Sequence, residues 1–184
     1  MSLHDNPAPH DGTASDETAD ADRRREMLAL LPDLRAFARF LVRDRTAADD
    51  LVQDTVVRAL GALAQFQPGT SLKAWLFAIL RNLFFEQARR RRREAAALRA
   101  HFPQDEADPA SQGDTADIRD LQRALWTLPP LLREALVLVG AQGLTYEEAA
   151  IISNVPVGTM KARVSRARTQ LARTMQPAEQ SAEG

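Results

Sequence analysis

Five cations and no acid lie in VGTMKARVSRARTQLAR, residues 157–173: Lys161, Arg163, Arg166, Arg168 and Arg173. A second basic block, RNLFFEQARRRRREAAALR at 81–99, holds five successive arginines from Arg89 to Arg93. Guanidinium groups at this density suit the neutralisation of phosphates along a nucleic-acid backbone. Asp50, Gln53 and Asp54 stand at i, i+3 and i+4, so a helix would carry them on one acidic face suited to a basic partner. A solvated first turn, where the macrodipole favours Asp, is the plainer reading of the same spacing. The formal net charge of −1 conceals these blocks. Acids collect instead in 1–22 (Asp5, Asp11, Asp16, Glu17, Asp20, Asp22) and in 104–120, which has six acids against Arg119 alone. Both stretches read as solvated tail or linker. Compositional bias explains why only Lys73 and Lys161 are lysines, but not why the arginines cluster.

Other chemistries find no residues to perform them. Cysteine is absent, which removes a disulfide framework, a thiol nucleophile and any cysteine-based zinc site. The three histidines, His4, His10 and His101, fall in the expected tail and linker and read as solvated. No glycine-rich phosphate loop, His/Glu metal spacing or pocketed carboxylate pair occurs, so neither catalysis, cofactor nor metal is expected. With no signal-like segment and no run of eighteen apolar residues, a soluble cytoplasmic protein without membrane contact is expected.

The elements that must position the charges are helices. Apolar residues recur at steps of three and four over 27–43, 47–66 and 71–99, as in Leu72, Trp75, Leu76, Ile79, Leu80 and Leu83. Pro68 and Gly69 interrupt the pattern, and Thr70 or Ser71 can cap the helix beyond them. HFPQDEADPASQGDTAD, 101–117, has the composition of a domain linker. Further helices are expected at about 118–127, 130–142, 145–152 and 156–173.

The last two helices have a defined relation. Thr145 and Glu148 in TYEE form a capping box, and SNVPVG then turns the chain into a helix with Pro156 at its start. Ala149 and Ala150 permit close approach, giving the outline of a helix-turn-helix. On the second helix Met160, Val164, Ala167 and Leu171 share one stripe, so Ala162, Ser165, Arg166 and Thr169 face outward. Lys161, Arg163 and Arg168 flank that face, which places central residues at base edges and flanking ones at phosphates.

LTYEEAAIISNVPVGTMKARVSRARTQL resembles region 4 of an extracytoplasmic-function sigma factor, and DDLVQDTVVRAL with FQPGTSLKAWLFAILRN resembles region 2. The likeness spans about residues 27–174, and QPGTSLKAWLFAILRN with REALVLVGAQGLTYEEAA is most similar to the general-stress-response, EcfG-type group. It implies an all-α protein of two small helical domains, a region 2 bundle and a region 4 helix-turn-helix, joined by a flexible linker. The expected boundaries are a disordered acidic tail at 1–26, region 2 at 27–99, the linker at 100–117, region 4 at 118–174 and a disordered tail at 175–184.

The resemblance also implies the partners. Asp50, Gln53 and Asp54 would dock on the β′ clamp helices of core RNA polymerase, whose β flap is a further contact. Lys161, Ala162, Arg163, Ser165, Arg166, Arg168 and Thr169 would read the −35 promoter element. Asn82 would sit beside a pocket for a base flipped from the −10 element, with Arg81, Arg89, Arg90, Arg91 and Arg92 along the backbone; binding an exposed base recovers part of the unstacking cost. Trp75 is followed by Leu76, where housekeeping sigma factors have two adjacent aromatics, which implies weaker melting. Trp75, Phe77, Phe84 and Phe85 serve either as core or as DNA contacts. The linker has too few apolar residues to fix the domains against each other, so in the free chain they should tumble apart or close through weak contacts; a small anti-sigma factor of the NepR type would clamp both, since neither small domain alone offers a standard interface. Two rival readings are a sigma-like mimic that titrates an anti-sigma factor and a stand-alone helix-turn-helix regulator.

Overall fold

The computed structural model describes residues 12–42, 44–99 and 116–175, and every regular element among them is helical. Residues 100–115 of the linker expected over 100–117, and the chain ends at 1–11 and 176–184, lie outside the described residues.

Helix α1 spans Gly12–Ala29, so the acidic tail expected over 1–26 is corrected: its second half is helical. The physical reason lies in local pairing. Asp20 bonds Arg23 and Asp22 bonds Arg25, each one turn apart, while Met27 is buried in the core and anchors the helix. Leu30 separates α1 from α2, Leu31–Leu41. Helix α3, Arg45–Gly61, starts at an Asp44 cap that accepts the Ala47 N–H at 2.7 Å. A 3-10 turn at Leu63–Gln65 and a loop with Gly69 at φ +85° lead into α4, Leu72–Arg99. Of the two expected caps of α4 it is Ser71 that acts, accepting the Ala74 N–H at 3.1 Å; the Thr70 hydroxyl donates to the Gln67 carbonyl. Phe37 of α2 and Phe77 of α4 stack at 4.9 Å in the centre of this bundle, both fully buried.

Helix α5, Ala116–Thr127, begins inside the range read as linker. Helix α6, Pro130–Leu136, continues as a π-helical turn over Val137–Ala141 and stops at Gly143, whose φ of +67° favours glycine. Helix α7, Tyr146–Ser153, opens with the expected capping box: the Thr145 hydroxyl accepts the Glu148 N–H at 3.1 Å, and Glu148 Oε2 accepts the Thr145 N–H at 2.8 Å. Asn154 in the left-handed conformation ends it, and α8, Val157–Met175, begins after Pro156. Ala149 and Ala150 are buried where α7 meets its neighbours.

The two halves do not stand apart. One buried cluster runs from Leu34, Phe37, Leu51, Leu76, Phe77 and Leu80 into Val137, Leu138, Ala149, Ile152, Met160 and Val164. Helix α4 packs on α7, and α2 on α6. The few apolar residues of the linker pointed to loose association of the domains. The association is made instead by helix faces far from the linker.

Candidate functional site

On α8, Met160, Val164 and Ala167 are buried and Leu171 is half-buried, as the stripe requires. Lys161, Ala162, Ser165, Arg166, Arg168 and Thr169 are exposed and Arg163 is half-buried. Two side chains fold back on the helix: Arg166 Nε donates to the Ala162 carbonyl at 3.3 Å and the Thr169 hydroxyl to that of Ser165 at 3.2 Å. Lys161 lies 5.8 Å from the Tyr146 ring centroid, so the first turn of α8 is tied to the start of α7. This leaves one helix face exposed, cationic and without an acid.

Asp50, Gln53 and Asp54 are all exposed on α3, while Leu51, Val52 and Thr55 turn inward. Gln87 of α4 donates to Asp54 Oδ2 at 3.0 Å and holds that carboxylate at the edge of the face. Sequence reasoning passed over Val57, which is 71% exposed one turn beyond Gln53 and Asp54. An exposed Val at i+3 from Asp54 and i+4 from Gln53 extends that face with an apolar residue, and that spacing was available in the sequence.

The arginine-rich end of α4 divides. Asn82, Arg89, Arg90, Arg91 and Arg92 are exposed, with Arg90 3.3 Å from Glu94 in a solvated i,i+4 pair. Arg81, grouped with them from sequence, lies elsewhere. Its side chain is 13% exposed, ion-paired to Glu134 of α6 and 4.5 Å from the Phe85 ring centroid. The reason is position along the helix: Arg81 stands about two turns before the exposed run, at the level where α4 meets Glu134 of the other half. The aromatics divide too. Phe77 is core, Trp75 is half-buried with its ring 5.4 Å from Phe66, and Phe84 meets Phe85 edge-on at 5.1 Å.

A polar network crosses the same seam. Lys73 Nζ donates to Asp33 Oδ2 at 2.7 Å and to the Gln142 carbonyl at 2.8 Å. Glu134, 4% exposed, also accepts from the Ser153 hydroxyl at 3.4 Å. The Thr145 backbone N–H holds the Glu148 carboxyl below its ordinary value against partial burial; the hydroxyls of Ser71 and Thr145 and the charge of Lys73 add to this. None of these cross-seam partners is close in sequence. The one available signal was Glu134 itself, an acid on the same helical face as the apolar Leu138.

Known proteins share this arrangement. A sequence model of Sigma-70 region 2 matches residues 27–94, and one of Sigma-70, region 4 matches 118–171. The chain is 47% identical over 148 residues to the ECF RNA polymerase sigma factor EcfG of Rhodopseudomonas palustris, covering 80% of this chain and 82% of that one. Among solved structures it is similar to the sigma factor RpoE of Bartonella quintana, determined in complex with the anti-sigma factor NepR. That likeness has a TM-score of 0.72 at 44% identity over 84% of this chain and 96% of the other. CnrH, in complex with the cytosolic domain of CnrY, matches with a TM-score of 0.60 at 29% identity over 85% and 92%. No helix among the described residues is long and apolar enough to cross a membrane.

Proposed function

The chain belongs to the extracytoplasmic-function RNA polymerase sigma factors of the sigma-70 family, and from that premise we propose which of its surfaces carry each step of promoter-specific initiation. Asp50, Gln53 and Asp54, with Val57 one turn further along the same face, dock on the β′ clamp helices of core RNA polymerase in the cytoplasm. An acidic face that ends on an apolar residue meets a basic partner with steering from the charges and area from the valine. Helix α8 reads the −35 element, Arg166 with Ser165, Ala162 and Thr169 toward base edges and Lys161, Arg163 and Arg168 toward phosphates. The exposed Asn82 and Arg89–Arg92 of α4 engage the −10 element, the arginines on the backbone and Asn82 beside an unstacked base.

The observation that carries this reading is the acid-free exposed face of α8, presented by a capped helix-turn-helix whose opposite stripe is buried. The relatives bear on regulation: EcfG of Rhodopseudomonas palustris and the Bartonella sigma factor bound to NepR support a general-stress role under an anti-sigma factor of the NepR type. Run-off transcription with purified core polymerase, on promoters recovered by genome-wide binding, tests the assignment. A specific transcript that depends on this chain is the expected result. A mimic that only titrates an anti-sigma factor, or a stand-alone regulator, yields none.

A further inference from the structure

Several acids of the N-terminal half are held by cations of the same chain. Asp33 Oδ2 accepts from Lys73 Nζ at 2.7 Å, Asp49 Oδ1 lies 3.9 Å from Arg35 Nε, and Asp20 and Asp22 each pair with an arginine one turn on. Asp54 is held differently. Its Oδ2 accepts from Nε2 of Gln87, a neutral amide 33 residues away on α4, at 3.0 Å. The carboxylate can only accept, so the NH2 end of the amide is the one turned toward it.

Helix α4 fixes where that amide points. Gln87 is half-buried, seven residues on from the buried Leu80 and one turn beyond the half-buried Leu83 and Phe84, so it lies on the inward side of the helix. That side packs on α3. Arg89, two residues on, stands about 200° round the helix from Gln87 and is exposed. Although residues 89 to 93 are all arginine, the residue that α4 turns to Asp54 is therefore an uncharged donor.

The kind of donor decides what the bond does. A cation at this distance would orient the carboxylate and also cancel its charge, leaving little for a basic partner. An amide orients it and leaves both the charge and the second oxygen, Oδ1, to be met from outside. An exposed Asp otherwise samples several χ1 rotamers, and fixing one beforehand removes an ordering cost from binding.

We propose that Gln87 is a positioning residue for polymerase docking: it holds Asp54 in one rotamer, with its charge intact, on the face that α3 presents to the core enzyme. The inference rests on the assignment of that face to the β′ clamp helices. It adds to the docking site a residue of α4, the helix whose other side carries the −10 assignment.

Surface plasmon resonance of the full chain on immobilised core polymerase, over a salt series, measures the effect. Three-bond Hα–Hβ couplings in the isotope-labelled free chain report the Asp54 rotamer. Gln87→Ala should give averaged couplings and about 2- to 10-fold weaker binding, with the salt slope unchanged because no charge is altered. Gln87→Arg should keep a single rotamer yet weaken binding and flatten its salt dependence, since the carboxylate is then neutralised. On an Asp54→Ala background, Gln87→Ala should add nothing, because no carboxylate remains to be held. Far-UV circular dichroism and the urea midpoint of each variant separate lost positioning from lost fold. Wild-type affinity in Gln87→Ala or Gln87→Arg, or an equal loss from Gln87→Ala with and without the Asp54 carboxylate, overturns the positioning role. Failure of the docking assignment itself looks different: Asp54→Ala alone would then bind core polymerase as the wild type does.

Discussion

Replacing Arg166 by alanine removes a side chain that points about 130° away from the Met160–Val164–Ala167 seam at 100° per residue, near the middle of the outward face. Arg168 stands only about 75° from that seam, at the wall of the face. In a major groove the first position meets base edges and the second meets phosphates. The bond from Arg166 Nε to the Ala162 carbonyl restricts its side chain before DNA arrives, so little rotamer freedom is lost on binding. A bidentate contact to a base contributes about 1–3 kcal/mol of discrimination, or about 5- to 150-fold between correct and scrambled sequence. Arg166→Ala should therefore reduce that ratio by this factor and leave binding to scrambled sequence nearly unchanged. Arg168→Ala should weaken both sequences alike and lower the slope of log affinity against log salt by about 0.9. Holoenzyme binding to a promoter fragment and to the same fragment with a scrambled −35 element, across a salt series, measures both quantities. Equal loss on the two fragments for Arg166→Ala would refute the assignment of base and phosphate contacts from helical phase.

Asp54→Arg reverses an exposed charge whose one described tie is a bond from Gln87, so co-purification with core polymerase should be lost while the circular dichroism spectrum is kept; holoenzyme at normal yield argues against docking through α3. The Glu148 carboxyl lies below its ordinary value of 4.5, so its contribution to stability is complete above that pH and disappears as pH falls through the lowered folded value. The gap in urea midpoint between wild type and Glu148→Gln should accordingly be full at neutral pH and close in acid; a gap independent of pH contradicts this. Phe77→Ala removes a fully buried ring stacked on Phe37 and should cost about 3–5 kcal/mol by urea unfolding, and an unchanged midpoint with weaker promoter binding would return Phe77 to the DNA. Thr145→Ala should cost about 1 kcal/mol through loss of the α7 cap, read as a lower unfolding midpoint.

The features legible in the sequence are those set by neighbours within about one helical turn. The capping box at Thr145 and Glu148, the Ser71 cap, the buried stripe of α8 and the common face of Asp50, Gln53 and Asp54 all arise from spacings of three and four, and the helix fixes those distances wherever it sits. Local pairing also explains why residues 12–26 are helical, although their acidity pointed to a solvated tail. Tertiary structure alone decided which charged residues are free. Arg81 and Arg89 look alike in the sequence, yet one is held by Glu134, 53 residues away, and the other is exposed. Lys73 meets a carbonyl 69 residues on, at Gln142. Contacts at such separations depend on which faces of α4, α6 and α7 are brought together, and no periodicity within a single helix encodes its rotation against a distant partner.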